Sequence, residues 1–227
     1  FTLSWYEQFI DSSNARNALE NSIKIAIVVT IISVILGTMS ALALERFTFK
    51  GKRVFDALLY LPIIIPDVTM AVMLLLFFGE FFEILDNLFG IQLRKGFWSI
   101  SISHIAFNIS FVSVVVRARL AGMSTDLEEA AVDLYASRWK AFRHVTFPQI
   151  LPGIAGGALL AMTLSLDDVV ITQFVAGPGW TTLPVYVFGL IRKGVTPLIN
   201  SISVIMLVSS MLLVGLSLLA ERTRRGG

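Results

Sequence analysis

The sequence contains no cysteine, only two histidines, and a charged fraction of 15%. Without cysteine there is no disulfide framework, no thiolate metal site and no cysteine nucleophile. In an ordinary soluble domain, about a quarter of the residues are charged. The low charge, the 56% of hydrophobic residues and the mean hydropathy of +0.79 therefore exclude a typical water-soluble domain and indicate a membrane protein.

The hydrophobic residues are gathered into blocks of membrane-spanning length. A hydrocarbon core of about 30 Å is crossed by a helix of about 20 residues. We predict an all-α fold, a polytopic membrane helical bundle in one domain over residues 1–227, because no repeat or linker divides the chain. Five transmembrane helices are predicted, over residues 21–44, 54–79, 97–120, 150–176 and 197–219.

Lysine and arginine are concentrated in alternate connections between these spans. Twelve of the 18 lie in residues 45–53, residues 117–149 and the tail after Ala220. The positive-inside rule makes these segments cytoplasmic, and with them the C-terminus. The remaining connections, which are predicted to be extracytoplasmic, are residues 1–20, 80–96 and 177–196.

The second predicted span contains two prolines, in the stretch LPIIIPDV. Pro62 and Pro66 each remove a helical hydrogen bond, so this helix is predicted to be kinked or broken near mid-membrane. Non-helical backbone at that depth is tolerated only against protein or a water-filled cavity. Asp67 directly follows Pro66 and is therefore predicted to lie at such a place.

Three aspartates, Asp67, Asp167 and Asp168, fall inside apolar spans. A charged side chain at a helix centre costs about 2.5–3.5 kcal/mol on insertion scales, and intramembrane acids mark transport pathways by default. No lysine or arginine occupies a span centre, so the acids stay protonated, pair with a partner subunit or meet a passing cation. We predict a substrate-pathway role for all three, with Ser165 as a helper. A purely structural hydrogen-bonding role is the alternative.

The positions of these acids along their helices allow a further expectation. Asp167 lies about four residues outward from the midpoint of its span, which is roughly 6 Å of depth at 1.5 Å per residue. Asp67 is near the middle of a span with the same direction, so the two carboxylates are expected at similar heights. Adjacent residues on a helix point about 100° apart, so Asp167 and Asp168 differ in direction. One is expected to face a cavity while the other bonds to Ser165, Thr163 or another helix.

Other polar and aromatic residues allow a structural interpretation as well as a functional one. Ser101, His104 and Asn108 form one stripe of the third predicted span, which interhelical hydrogen bonding explains without any function. No metal site is expected, because the second histidine, His144, lies in a cytoplasmic segment. Trp5 is predicted either to contact a delivered ligand or to anchor the chain at the membrane interface, and both roles suit an aromatic residue there.

Residues 123–149 form a long cytoplasmic loop that is neither a tight turn nor a disordered linker. Ser124 or Thr125 together with Glu128 fits a capping box, which is a helix-start signal. An acidic amphipathic helix and then a second, short basic helix are predicted, and such a pair favours docking into a groove of another protein. The alternative is a helix pair lying on anionic lipid, which the acids of the first half disfavour.

Within this loop Glu129, Ala130 and Ala131 begin a pattern that closes at Pro148. It resembles the cytoplasmic coupling loop of ABC-importer permeases: Glu-Ala-Ala, three residues, Gly, nine residues, then Ile-x-Leu-Pro. Val145 stands for the Ile, and Tyr135 and Phe147 replace the Gly and the Leu. The Gly is expected to permit a tight bend between two coupling helices, and in this chain Tyr135 occupies the position of that bend.

The resemblance extends over essentially the whole chain. It is similar to the second permease subunit of spermidine/putrescine importers in the stretches FTLSWYEQF, PDVTMAV, RLAGMSTDLEEAAVDL, LSLDDVVITQFVAGPGWTTLP and GVTPLINS. Such permeases have six transmembrane helices, so the first is expected to be absent from this chain, which does not begin with Met. The resemblance implies a bacterial inner-membrane location.

The resemblance also implies a division of labour. A second permease subunit completes the pore, a periplasmic binding protein delivers the polyamine, and two ATPase subunits use ATP and Mg²⁺. This chain has no Gly-rich phosphate loop, so ATP hydrolysis is expected to take place on another subunit. No cofactor, catalytic residue or nucleic-acid partner is expected for this chain. The residues expected to couple to the ATPase are Glu128, Glu129, Ala130, Ala131, Asp133, Tyr135, Arg138 and Pro148.

Competing interpretations remain open at this point. An ion-coupled secondary transporter would use the aspartates as ion sites and would explain the proline-broken helix, but it leaves the amphipathic loop unexplained. An intramembrane aspartyl hydrolase needs two carboxylates within a few ångströms that share a proton. An importer of another cationic or small organic solute is a further alternative.

Overall fold

The computed structural model describes residues 4–194, 197, 199–204, 207, 208 and 211. These described residues form helices joined by short connections, and none of them lies in a β-strand. In chain order the helices are α1 (Ser4–Asp11), α2 (Ser13–Arg46), α3 (Lys52–Ile64), α4 (Asp67–Phe89), α5 (Phe97–Ala121), α6 (Asp126–Asp133), α7 (Arg138–Ala141), α8 (Phe147–Asp167), α9 (Val170–Val175) and α10 (Leu183–Lys193). A π-helical turn, Phe142–Thr146, joins α7 to α8.

Among the described residues, 4 helices are long and apolar enough to cross a membrane: α2, α4, α5 and the continuous helix Arg138–Asp167. The predicted all-α, polytopic fold class is therefore confirmed. The predicted spans 21–44 and 97–120 are helical throughout. In the last predicted span, 197–219, residues 199–204 are helical and most of the others lie outside the described residues.

The second predicted span is not one helix. Ile65, which precedes Pro66, has an extended backbone with ψ 130°, because the proline ring disfavours the helical conformation of the residue before it. Helix α4 then starts at Asp67 and runs to Phe89, where Gly90 ends it with φ 65°. Residues 80–89 of the predicted outer connection 80–96 therefore continue this helix, and the non-helical part of the connection is 90–96.

The fourth predicted span, 150–176, is also divided. Helix α8 stops at Asp167, and the backbone is extended at Asp168, with ψ 125°, before α9 begins. At the other end, the second short helix predicted in the loop is continuous with α8 through the π-helical turn. That turn comes directly before the Phe147-Pro148 pair, where Pro148 has no N–H to donate to the preceding turn.

Helices α2, α5 and α8 pack closely around small residues. A methyl group added to Gly37 would lie 2.7 Å from Cβ of Val112, and one added to Gly157 would lie 3.2 Å from Cγ1 of the same valine. Glycine at these two positions lets the helix backbones approach each other, as in many membrane bundles. Arg117 of α5 donates to Glu45 at 2.8 Å and to Asp56. The bond to Asp56 attaches the start of α3 to this group of helices.

Candidate functional site

The two helix breaks are neighbours in the fold. Met70 and Ala71, one turn into α4, belong to the same buried cluster as Ile171 and Val175 of α9. The first turns of α4 and α9 therefore lie side by side. The first turn of a helix has N–H groups without intrahelical partners and carries the positive end of the helix dipole, so both breaks favour a nearby carboxylate.

Asp168 provides the carboxylate for α9. Its Oδ1 accepts from the Ile171 N–H at 3.3 Å, and its Oδ2 accepts from the Thr172 N–H and the Thr172 hydroxyl, both at 2.7 Å. The Asp168 side chain is 11% exposed. This aspartate thus caps the short helix that follows the break.

His104 of α5 connects the two sides of the same break. Its fully buried ring places Nε2 3.2 Å from Asp168 Oδ2 and 3.0 Å from Thr172 Oγ1, while Nδ1 lies 2.9 Å from Ser165 Oγ on α8. Interhelical hydrogen bonding is therefore confirmed for His104. Ser101 and Asn108 of the same stripe are buried, but their side chains have no hydrogen-bond partner among the described residues.

The conclusion that the acids lack a base within the chain is wrong for Asp168. That conclusion considers only lysine and arginine as possible bases. It does not pair His104 with an acid. The pairing joins residues 64 positions apart, so helical periodicity does not reveal it. The signal that could have found it is a histidine in an apolar span, since a buried imidazole usually has hydrogen-bond partners.

Asp67 and Asp167 have a different environment from Asp168. Both side chains are exposed in the chain taken alone, and neither has a hydrogen-bond or ion-pair partner among the described residues. The two adjacent aspartates therefore differ, with Asp168 bonded to another helix and Asp167 exposed, which is the division expected from their 100° separation. Ser165 is 5% exposed and its hydroxyl is bonded to His104.

Trp5 belongs to another part of the fold. It lies half-buried in α1, which packs against the start of α2 through Phe9, Ala15 and Ala18. This buried cluster is separate from the one that contains the two helix breaks. A role for Trp5 in ligand contact stays a prediction.

The bend in the long loop is made at Tyr135 by a left-handed residue with φ 62°. The Tyr135 N–H donates to the Val132 carbonyl at 2.9 Å, and the Ala136 N–H donates to the Ala131 carbonyl at 3.0 Å. This pair of bonds is a Schellman motif, in which the left-handed position is usually glycine. Tyr135 therefore makes the same kind of bend that glycine would, and its side chain is 99% exposed.

Glu128 connects this loop to the membrane helices. Its Oε1 accepts from Arg46 at the end of α2 and from the Thr146 hydroxyl in the π-helical turn, both at 2.8 Å. The predicted capping box is wrong, because Thr125 makes no side-chain cap and the Glu128 side chain is engaged elsewhere. Helix α6 starts where predicted, and Ser124 Oγ accepts from the Asp126 N–H at 3.1 Å.

The remaining loop residues of the predicted coupling set face outward. Ala131 is half-buried, and the exposed members are Glu129, Ala130, Asp133, Arg138 and Pro148. Beside them, the apolar side chains of Leu134 and Trp139 are 82% and 68% exposed. A cleft of about 910 Å³ between α6, α7 and the end of α2 has Glu129, Asp133 and Arg138 in its wall.

Long apolar helices, two adjacent helix breaks with carboxylates, and an exposed helical loop define a membrane transport permease. The family described as "Binding-protein-dependent transport system inner membrane component" matches residues 17–222. The chain belongs to this family of multi-pass inner-membrane transport subunits.

Individual relatives narrow the comparison. The chain is 36% identical over 227 residues to the "Spermidine/putrescine transport system permease protein PotC" of Escherichia coli (strain K12), covering 100% of this chain and 82% of that protein. It is 39% identical over 204 residues to the "Putrescine transport system permease protein PotI" of the same organism, covering 89% of this chain and 71% of that one. The close resemblance to polyamine permeases stated from the sequence is thus confirmed.

A solved structure shares the fold at low sequence identity. It is a bacterial alginate ABC transporter in complex with an alginate pentasaccharide-bound periplasmic protein, with a TM-score of 0.79 and 17% identity. The match covers 99% of this chain and 83% of that one. At this identity the likeness supports the permease fold and nothing about the solute.

Proposed function

We propose that the chain is a permease subunit of an ATP-driven importer that moves polyamines such as spermidine and putrescine across the bacterial inner membrane. One observation about Asp67 and Asp167 carries this proposal. Both carboxylates are exposed and lie beside adjacent helix breaks, and neither has a partner among the described residues. A polyamine presents ammonium groups on a flexible apolar chain. Its charge-assisted hydrogen bonds to carboxylates would offset the cost of keeping these acids at membrane depth.

The partners in this proposal follow from the surfaces of the chain. The loop 123–149 would dock on one subunit of an ATPase dimer, which would bind ATP and Mg²⁺. The exposed apolar faces of α3 and α4 would contact a homologous permease subunit or lipid. A periplasmic binding protein would deliver the solute, just as the alginate transporter forms a complex with its pentasaccharide-bound periplasmic protein. In this arrangement the C-terminus is cytoplasmic, as the positive-inside rule predicts.

Membership of a binding-protein-dependent family favours this proposal over an ion-coupled transporter and over an intramembrane hydrolase. An importer of a different small solute is the alternative that stays closest to it. Radiolabelled putrescine uptake into vesicles containing the whole transporter distinguishes the two, with spermidine as a competitor. ATP-dependent uptake that spermidine inhibits is expected, and the absence of such uptake would contradict a polyamine importer.

The role of the two exposed acids is tested in the same vesicles. Asp67→Asn and Asp167→Asn are each expected to reduce uptake by more than about tenfold, because an amide removes the charge that attracts the ammonium group. Asp86→Asn, at an exposed acid near the end of α4, is the matched control and should transport normally. Assembly with the partner subunits should be unchanged in all three. Normal uptake by the Asp67 and Asp167 variants would refute the pathway role.

A further inference from the structure

We infer that His104 is a positioning residue of the transport pathway, holding Asp168 as a structural cap so that, of the two adjacent aspartates, only Asp167 faces the transported cation. This inference rests on the proposed function and deepens it, because it gives the two adjacent aspartates different tasks. It concerns three segments that meet at one point: α5 through His104, the end of α8 through Ser165, and the start of α9 through Thr172.

The acceptors beside His104 place a proton on one of its ring nitrogens. The Thr172 hydroxyl donates its one proton to Asp168, so its oxygen can only accept from the ring. The Asp168 carboxylate is also only an acceptor. The ring nitrogen Nε2, which lies next to both, must therefore carry the proton. The Ser165 hydroxyl can donate to Nδ1 of the neutral ring or accept from Nδ1–H of the charged ring, and Nε2 donates toward Asp168 in both forms.

The hydrogen bonds of this network are made by Asp168 and not by Asp167. The Asp168 carboxylate accepts from two backbone N–H groups, one hydroxyl and one imidazole N–H. Three of these donors converge on Oδ2 and the fourth bonds Oδ1, so the Asp168 carboxylate is held by α9 and α5 and its side chain is only 11% exposed. Asp167 has no hydrogen-bond partner among the described residues and is exposed.

The same network determines where Asp167 points. The backbone leaves the helical conformation at Asp168, and α9 restarts with its first N–H groups capped by that side chain. If the hydrogen bond from His104 is lost, the Asp168 side chain is no longer held to α5, and the end of α8 can rotate or extend. A shift of one residue turns a helical side chain by about 100°, which would take Asp167 out of its direction.

Two substitutions of His104 separate this role from general packing. His104→Gln places an amide NH₂ near the position of Nε2 and keeps a donor for Asp168. His104→Asn reaches only the position of Nδ1, so it keeps the contact with Ser165 but not the one with Asp168. Ser103→Ala is the matched control, since its buried hydroxyl bonds the Ser99 carbonyl within α5 and contributes nothing to the His104 network.

The experiment uses the whole transporter and the fact that this chain has no cysteine. Asp167→Cys is introduced with His104 intact and in each variant background, and labelling of the new thiol by a water-soluble reagent is followed by mass spectrometry. We expect the Gln and Ser103→Ala backgrounds to label at the original rate within about twofold, and the Asn background to differ by roughly tenfold or more. With Asp167 restored, the Asn variant should show a raised KM for putrescine, and the Gln variant should not.

Each outcome decides a different question. Equal labelling and equal KM in the Asn and Gln backgrounds, whether normal or defective, would overturn the positioning role of His104. Putrescine is added in a further set of reactions and should slow the labelling of the Asp167→Cys thiol when His104 is intact. Labelling that putrescine never affects would instead contradict the proposed pathway, whatever residue 104 does.

Discussion

The side chain of Tyr135 is 99% exposed, while its backbone is held in the left-handed region. That conformation costs a non-glycine residue about 1–2 kcal/mol, since Cβ approaches the following carbonyl oxygen. The two backbone hydrogen bonds of the Schellman motif fix the bend in spite of this cost. The bend in the loop therefore depends on the backbone conformation at position 135 and not on the volume of its side chain.

This view of Tyr135 leads to a prediction about the bend. Tyr135→Gly and Tyr135→Asn should keep the loop and the ATPase association, because both residues adopt the left-handed region readily. Tyr135→Val should weaken the association severalfold, since a β-branched residue is a genuine outlier there. Co-purification of the ATPase with each variant measures this. Full retention by the valine variant would show that the association does not depend on the bend.

Single residues also show what the sequence can and cannot predict at this scale. The 100° rule correctly separates Asp167 from Asp168, because it depends only on local helix geometry. It does not reveal which of the two is bonded, because the partner His104 is 64 positions from Asp168 and its approach depends on packing. The left-handed conformation of Tyr135 is equally hidden, since the residue type disfavours it.

At the scale of the elements, Glu128 is the contact that attaches α6 to the bundle. It joins the end of α2, through Arg46, to the π-helical turn that leads into α8, through Thr146. The Arg46 and Glu128 side chains are 20% and 27% exposed, so solvent screens this pair only in part. A movement of α6 would therefore be transmitted to two membrane helices at once.

Glu128→Ala should separate binding from transport. The variant loses two hydrogen bonds to a charged group, but its exposed neighbours still offer the docking surface, so the ATPase should remain bound. Transport per ATP hydrolysed should fall severalfold. The measurement is putrescine uptake and ATP hydrolysis in the same vesicles. The charge exchange Arg46→Glu with Glu128→Arg should recover part of the lost transport. An unchanged ratio of transport to hydrolysis in Glu128→Ala would remove this contact from the coupling route.

Helix boundaries are predictable where a local signal marks them and are missed where the signal is tertiary. Pro66 ends α3 because of its own ring, and the sequence alone indicates a break in that span. At Asp168 the break is made by side-chain hydrogen bonds to α9 and to His104, and the apolar pattern continues across it. The first part of the helix Arg138–Asp167 is amphipathic, which is the pattern of a separate short helix. The sequence therefore predicts two helices where the structure has one continuous helix.

At the scale of the whole molecule, the chain presents two kinds of exposed surface. Large apolar side chains cover much of α3 and α4, and α4 buries only Met70, Ala71 and Phe78 among the described residues. Hydropathy predicts such surfaces well, since lipid and a neighbouring helix favour the same residues. The second surface is the loop with its acidic first helix, where Glu129 and Asp133 stand at the wall of a cleft.

Glu129 tests whether this loop surface is an interface. Its side chain is exposed and has no ion-pair partner among the described residues, so Glu129→Lys leaves the contacts within the chain intact. If the partner ATPase presents complementary positive charge, the reversal sets like charges against each other at the interface, and a tenfold weaker association corresponds to about 1.4 kcal/mol. We expect at least that loss in a pull-down of the ATPase. Glu7→Lys, an equally exposed reversal in α1, should retain it fully. Because Glu128 is bonded within the chain and Glu129 is not, a Glu129→Lys variant that keeps its ATPase would mean that another face of the loop makes the contact.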